Sequence, residues 1–409
     1  MSNRITNFRT GFGTDLAVNL IDKDYLNSVY PMVVPNGIQL YAWGRNNDTY
    51  GRGGQLGDNT RASRSTPRQE FTSSTNWRQV AGGYTCSIAI KTDGTLWAWG
   101  DNFSGQLGDN TNITKSTPVQ VGTATNWKQC DIGGSILDIP CSAAIKTDGT
   151  LWTWGRNTFG QLGDNTIVEK ITPIQVGTAT NWKQVSCGAG HMAAIKDDGT
   201  LWTWGKNDYG QIGDNTTAAR STPTQVGTAT NWVQVSASTY NTAAVKRDGT
   251  LWCWGGNTWG QVGDNTQGAG TANSRSTPRQ ITTNTDWKQV VAGSKGSNAA
   301  LKTNGTLWAW GDNSFGQLGD NTIETRSTPR QEFTSSTNWK QVTAGYDFTL
   351  AIKTDGTLWT WGYNFYGSLG DNSRTNRFTP TQEFTSSQNW IQVSSGNSHA
   401  LALKGPPSP

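Results

Sequence analysis

The side chains able to do acid–base or nucleophilic chemistry are few, and their spacing argues against it. His191 and His399 stand in distant parts of the chain, and a nucleophilic site needs its base within hydrogen-bond reach. Five cysteines (Cys86, Cys130, Cys141, Cys187 and Cys253) form neither a CxxC pair nor an even set, so neither a thiolate metal site nor a disulfide framework follows. Cys86 and Cys141 recur at equivalent places and read as small core residues. The carboxylates are more suggestive. Asp58, Asp109, Asp164, Asp214, Asp264, Asp320 and Asp371 each stand in a Gly-Asp-Asn triplet, and a ring of them would suit a cation. An Asp in a glycine-rich turn ordinarily bonds its own backbone amides instead, and that reading is preferred. A glycoside hydrolase would need an asymmetric carboxylate pair roughly 5 to 10 Å apart, which a regular ring does not supply. The expectation is a protein without enzymatic activity, cofactor or resident metal.

Those residues recur because the chain itself repeats. Trp-Gly appears at Trp43, Trp99, Trp154, Trp204, Trp254, Trp310 and Trp361, each time followed by G-[QS]-[LIV]-G-D-N, then by Thr-Pro, then by a further tryptophan. Within one unit "AAIK" leads into Asp198-Gly199, read as a two-residue hairpin with both turn positions at positive φ. "TLWTWG" follows with strand alternation, then "TPTQV", where proline suits a strand start or an edge, then "WVQVSA" as a fourth strand. A four-stranded antiparallel unit repeated about 50 residues apart predicts a β-propeller. The fold class is therefore all-β, with seven four-stranded antiparallel blades. "HALALK" at the C-terminus lacks a following strand and "IQLYAWG" at Ile38–Gly44 lacks a preceding one. Pairing the last strand with the first three would close the ring in a 3+1 arrangement and remove two exposed edges.

The motif W-x-W-G-x-N-x-x-G-Q-L-G, with its following proline and G-x-x-H, resembles the regulator of chromosome condensation family of seven-bladed propellers, over roughly Gly37 to Lys404. The family histidine before the inner strand is present only at His191 and His399; Cys86, Cys141, Asn241, Ser297 and Phe348 replace it elsewhere. Twenty-one tryptophans could stack on sugars, but their constant phase favours packing between blades, each burying on the order of 200 Å². The repeated glycines are expected at positive φ or where blades approach closely.

Composition narrows the partners. A net charge of +4 without any run of Lys or Arg gives no footprint for nucleic acid. No stretch approaches the ~20 apolar residues of a membrane span, so membrane insertion is not expected, and no signal peptide is seen at the N-terminus.

Individuality lies where the copies differ. Asp48–Arg52, with Asp48, Tyr50 and Arg52, and Gln267–Thr271, with Gln267 and Thr271, lengthen the loop between the second and third strands of their units. Asp131–Pro140, with Asp131, Ile136 and Asp138, lengthens what reads as a blade-to-blade connection. By strand parity all three emerge on one face and are the candidate binding loops. Trp259 joins them, since its counterparts Ser104, Phe159, Tyr209, Phe315 and Tyr366 vary. Three segments result: an arm at 1–36, the propeller at 37–404 and a tail at 405–409, with both ends leaving the ring on the opposite face. Phe8, Phe12, Leu16, Leu20, Tyr25 and Leu26 make the arm too apolar for a free tail, and Asp22–Tyr30 could form a short helix.

"TGFGTDL…DKDYLNSVYP" in that arm, together with near-verbatim copies such as "RQEFTSSTNW" at 68–77 and 330–339, resembles virion proteins of tailed bacteriophages. This resemblance implies a structural or adhesive component of a virion surface, neck or tail fibre. The arm would contact other virion or assembly proteins, and the propeller a host-surface glycan or protein. The alternatives are a glycan-binding lectin-like propeller, and a scaffold for nucleotide exchange or chromatin binding of the kind that the eukaryotic family members imply.

Overall fold

The computed structural model describes residues 37–47, 53–134, 140–268 and 270–406. In it, seven four-stranded sheets are built entirely from antiparallel neighbours. One blade shows the plan: Trp182–Cys187 is innermost, then His191–Lys196, Leu201–Gly205 and, outermost, Arg220–Gln225. A register shift between Trp182 and Gln184 bends the inner strand where it starts, as a bulge does.

The ring closes as expected, but with a different division of strands. Gln39 pairs with Lys404, Leu40 with Leu403, Tyr41 with Ala402 and Ala42 with Leu401. The closing blade, however, holds two strands from each end: Trp390–Ser395 and His399–Lys404 beside Gln39–Gly44 and Arg64–Gln69. The closure is 2+2 rather than 3+1. The strand beginning with the lone tryptophan of each repeat opens the next blade instead of ending its own, because it hydrogen-bonds to the strand that follows it. Trp232–Ala237, for example, pairs with Asn241–Lys246. Gly37 and Pro406 stand side by side, within van der Waals reach, so the two ends of the propeller meet.

The hairpin at Asp198 also differs from expectation. Only Gly199 has positive φ, at 77°; Gly199 N–H donates to Lys196 C=O, and Lys196 N–H to Thr200 C=O. This is a three-residue loop with the glycine in the left-handed position. Asp198 keeps ordinary φ and accepts from Thr200 N–H at 2.9 Å and its hydroxyl at 2.7 Å.

The core lies between blades rather than inside one. Cys141, Ala143, Ile145 and Leu151 of one blade pack against Val185, Met192, Ala194 and Trp204 of the next. The tryptophan before each Gly-x-Asn is fully buried, and its indole N–H crosses the same seam. Trp154 donates to Gln106 C=O at 2.9 Å and Trp204 to Gln161 C=O at 2.8 Å; Trp43, across the closure, donates to Ser368 C=O at 2.9 Å. The second glycine of each G-Q-L-G lies flat on this ring: a Cβ on Gly163, whose φ is 73°, would come within 2.8 Å of Trp204 Nε1. Both the packing role of the tryptophans and the close approach at the glycines therefore hold. At the opposite end of the blades, Lys146 sits 4.9 Å from the Trp127 ring and 3.9 Å from that of Trp152, a cation–π sandwich that recurs from blade to blade.

Around the axis the inner strands are joined by glutamines. Gln184 Nε2 donates to Val235 C=O at 3.0 Å while its Oε1 accepts from Val235 N–H at 3.1 Å. Gln79, Gln129, Gln234, Gln289 and Gln341 make the same double clasp on the next blade. Adjacent inner strands are not paired as a sheet, so these amides satisfy backbone groups that would otherwise face the axial channel.

Candidate functional site

The residues first considered for catalysis are engaged in structure. His191 and His399 are fully buried, and each bonds a hydroxyl of the next blade: His191 Nε2 with Thr242 Oγ1 at 2.8 Å, His399 Nε2 with Ser87 Oγ at 3.1 Å. Burial pushes both imidazoles down to about 3, which keeps them neutral. The five cysteines are buried thiols; burial raises Cys253 to about 12, far from thiolate at neutral pH. Each repeat Asp serves its own turn. Asp214 Oδ1 accepts from Thr216 N–H and hydroxyl, and Oδ2 from Arg220 Nε at 2.8 Å. Burial opposes its charge, but these partners outweigh it and hold the carboxyl below its usual range. Committed to a basic side chain of its own blade, such an Asp is not arranged to share an ion with its neighbours.

The candidate loops fare differently. Strand order puts 48–52 and 267–271 between third and outer strands, and 135–139 between the inner and second strands of one blade. The last is thus a connection within a blade, not between blades. The strand ends that flank all three open on one face, here called the upper face. Asp48, Tyr50, Arg52, Ile136 and Asp138, and the arm residues Phe8, Phe12, Leu16, Leu20, Tyr25 and Leu26 with the short helix suggested at Asp22–Tyr30, lie outside the described residues. Gln267 and Thr271 are exposed; the Gln267 carbonyl accepts from Asn273 Nδ2 at 3.2 Å and that of Thr271 from Ser274 N–H at 3.0 Å.

Asp131 is not a loop residue. It belongs to the inner strand Trp127–Ile132 and lines the axial channel, a cavity of about 120 Å³. Its Oδ2 accepts from Cys187 N–H of the next blade at 2.8 Å. Ser186 and Ser236 occupy the equivalent place and bond Ala237 and Ala292 N–H, both at 3.0 Å. Asp131 is therefore one link in a second clasp between blades. Burial raises its carboxyl to about 6, against the pull of the Cys187 and Ile132 amides.

Trp259 is half-buried, and its neighbours reveal a larger feature. Its ring lies 5.9 Å from that of Tyr240, which stands edge-on to Tyr209 at 5.6 Å. Farther round the same face Phe315 meets Tyr363 at 4.7 Å, Tyr363 stacks with Phe365 at 6.4 Å, and Phe365 meets Tyr366 at 5.0 Å. The Arg45 guanidinium lies 4.8 Å over Tyr366. All these rings stand in upper-face loops and together form a crescent over consecutive blades, with Phe365 57% exposed.

Between the two aromatic groups sits a charged triad. Lys295 Nζ is 3.2 Å from Asp312 Oδ2 and 3.0 Å from Asp347 Oδ1, and its ammonium is 4.9 Å from the Phe315 ring. Burial raises Asp347 to about 6 although Lys295 pulls it down. Burial works against the Lys295 charge, but Asp347 and Asp312 outweigh it and lift the ammonium above its ordinary value. Beside the triad a cavity of about 190 Å³ is lined by Phe315, Tyr346, Asp347, Phe348, Tyr363, Ser368, Asn397 and Ser398.

Of these, sequence reasoning had singled out Trp259 alone. The signal for the rest was present in one place: G-S-L-G at Ser368 is the only copy without glutamine. In four other blades that glutamine folds back to accept from an aromatic residue two positions earlier, as Gln317 Oε1 does from Phe315 N–H at 2.9 Å. Ser368 is too short to do so and its hydroxyl donates to Ser398 C=O at 2.7 Å.

Comparison with known proteins agrees with this architecture. The chain matches the family model of the RCC1-like domain over residues 31–293 and 179–405. It is 29% identical over 380 residues to the ultraviolet-B receptor UVR8 of Arabidopsis thaliana, covering 90% of this chain and 71% of that protein. It is 28% identical over 324 residues to the Homo sapiens E3 ubiquitin-protein ligase HERC2, covering 77% of this chain but 4% of the ligase. Among solved structures, human WBSCR16 superimposes with a TM-score of 0.74 at 21% identity, over 91% of this chain and 100% of that one. Prp20p of Saccharomyces cerevisiae gives 0.78 at 19% identity, over 91% and 92%. With its seven phased repeats, its ring closure and the family match along the whole propeller, this chain belongs to the RCC1-like domain family.

Proposed function

We propose that this chain is a non-catalytic recognition propeller that binds a protein partner through its upper face, a scaffold of the kind its family offers. The aromatic crescent carries the reading. Aromatic rings and arginine are what protein interfaces enrich, and here Trp259, Tyr240, Phe315, Tyr363 and Phe365 share one face with the inserted loops and with Arg45. The relatives support it indirectly. One is a receptor and another a ligase of which the propeller is a small part, as suits a module that supplies recognition while other activities vary. The chemically capable side chains described above are buried or paired, which leaves binding as the work of the exposed surface.

The glycan-binding alternative shares this face, since the same rings could stack on sugars. The virion role expected from residues 1–36 gains no support from these relatives. The decisive experiment compares the full chain with Phe365→Ser and Trp259→Ser variants in proximity crosslinking from the native source, with melting curves run in parallel. Loss of the same crosslinked protein in both variants, at unchanged melting temperature, supports the proposal. Unchanged crosslinking, or crosslinks confined to the opposite face, refutes it.

A further inference from the structure

The cavity beside Ser368 is a local departure from the repeat, and its walls have a chemistry of their own. Four aromatic residues, Phe315, Tyr346, Phe348 and Tyr363, contribute to the walls; Asp347 adds a carboxylate and Asn397 an amide. The Asn397 side chain donates through Nδ2 to Ser398 Oγ at 3.1 Å, while its Oδ1 is buried without a hydrogen-bond partner among the described residues. Asn397 is 8% exposed, so this orphaned acceptor has little access to water, a costly arrangement that a donor would relieve. Asp347 spends Oδ1 on Lys295 and on Gln317 Nε2, the latter at 3.3 Å.

We infer that this cavity is a binding site for a single organic cation, an alkylammonium or guanidinium head group, held by the faces of Phe315, Tyr346 and Tyr363, the Asp347 carboxylate and the Asn397 carbonyl. Aromatic faces and an acceptor pair attract a positive head group. Lys295 is the internal precedent: its ammonium already rests between Asp347, Asp312 and the rings of Phe315 and Tyr346. Two carboxylates against this one ammonium leave the triad a negative charge, while the Arg45 guanidinium sits over the neighbouring Tyr366 ring. The volume of about 190 Å³ suits a head group of several heavy atoms, since a cavity of about 150 Å³ admits benzene. The head group could belong to a free amine or to a side chain of a partner. The site stands on its own geometry, whether or not the face also binds a protein.

The test uses the full chain and four probes: choline, its neutral isostere 3,3-dimethylbutanol, and short blocked peptides with a central arginine or lysine. Binding is read by calorimetry and by shifts of the Ser368 and Asn397 amide resonances. Expected are saturable choline binding, at least about tenfold weaker binding of the isostere, and competition between choline and the arginine peptide. Ser368→Gln restores the residue of the other six repeats and fills the space, so it should abolish cation binding while keeping the melting temperature. Asp347→Asn should weaken it about tenfold. A peptide that binds tighter than choline assigns the site to a partner's side chain, and the reverse order to a free amine. Equal binding of choline and its isostere would make this a plain apolar hollow, and unchanged binding in Ser368→Gln or no saturation by any cation would overturn the assignment. Failure here leaves crosslinking at Phe365 untouched, so the two proposals are tested apart.

Discussion

The side-chain amide of Gln234 grips both backbone groups of Val290 in the next blade, donating to its carbonyl at 2.8 Å and accepting from its N–H at 2.9 Å. No strand pairing joins the two inner strands, so the glutamine is the hydrogen-bonded link at that level of the axis. Replacing it with alanine strips partners from both Val290 groups. Gln234→Ala should lower stability by about 1–3 kcal/mol, read as a drop in the denaturation midpoint; an unchanged midpoint would mean that channel water substitutes fully.

Closure should matter more than any single clasp. Deleting residues 396–409 removes the strand His399–Lys404, which lies between Gln39–Gly44 and Trp390–Ser395. Two strand edges and the side chains around Leu403 then become exposed. The truncated chain should aggregate or melt well below the full chain, seen by gel filtration and circular dichroism. A monomer of unaltered melting temperature would refute the closing role.

Asp131 gives a pH signature. Its folded value of about 6 lies above the ordinary carboxyl value, so between about pH 4 and 6 the folded state holds a proton that the unfolded state has lost. Its contribution to stability therefore falls as pH rises through that window and stays flat above it. Asp131→Ser, the residue type found at Ser186 and Ser236, should remove this slope and raise stability above pH 6 by about 1 kcal/mol. Denaturant titrations at pH 4.5 and 7, with the variant less stable at both, would contradict the assignment.

His191 should act in the opposite sense. Its folded value of about 3 lies below that of an unfolded histidine, so the unfolded chain takes up the proton first. Stability is full above about pH 6.5 and declines as pH falls toward 3, by about 2 kcal/mol at pH 5. His191→Asn, with the residue found at position 241, should flatten this part of the acid profile. The same acid sensitivity in the variant would place its origin elsewhere, with His399 the next to change.

Much of this protein is written locally. Alternation in "LWTWG", the Asp-Gly turns and the seven phased copies specify strands and hairpins, because each depends on neighbours within a few residues. The unpaired strands at the two ends also foretold that the ring would close. Blade phase was not legible: a repeat has no intrinsic start, and whether Trp232–Ala237 ends one sheet or begins the next depends on which edge it pairs with. For the same reason Asp131 read as part of a loop although it lies in an inner strand.

Which side chains meet on the upper face was decided by the tertiary structure. Curvature sets Ser87 beside His399 and gathers Phe315, Tyr346, Tyr363 and Asn397 around one cavity, residues that no local pattern connects. The serine at 368 was visible as a letter out of register. What it opens depends on three blades meeting at that point, since the space left by a missing side chain is shaped by whatever packs around it.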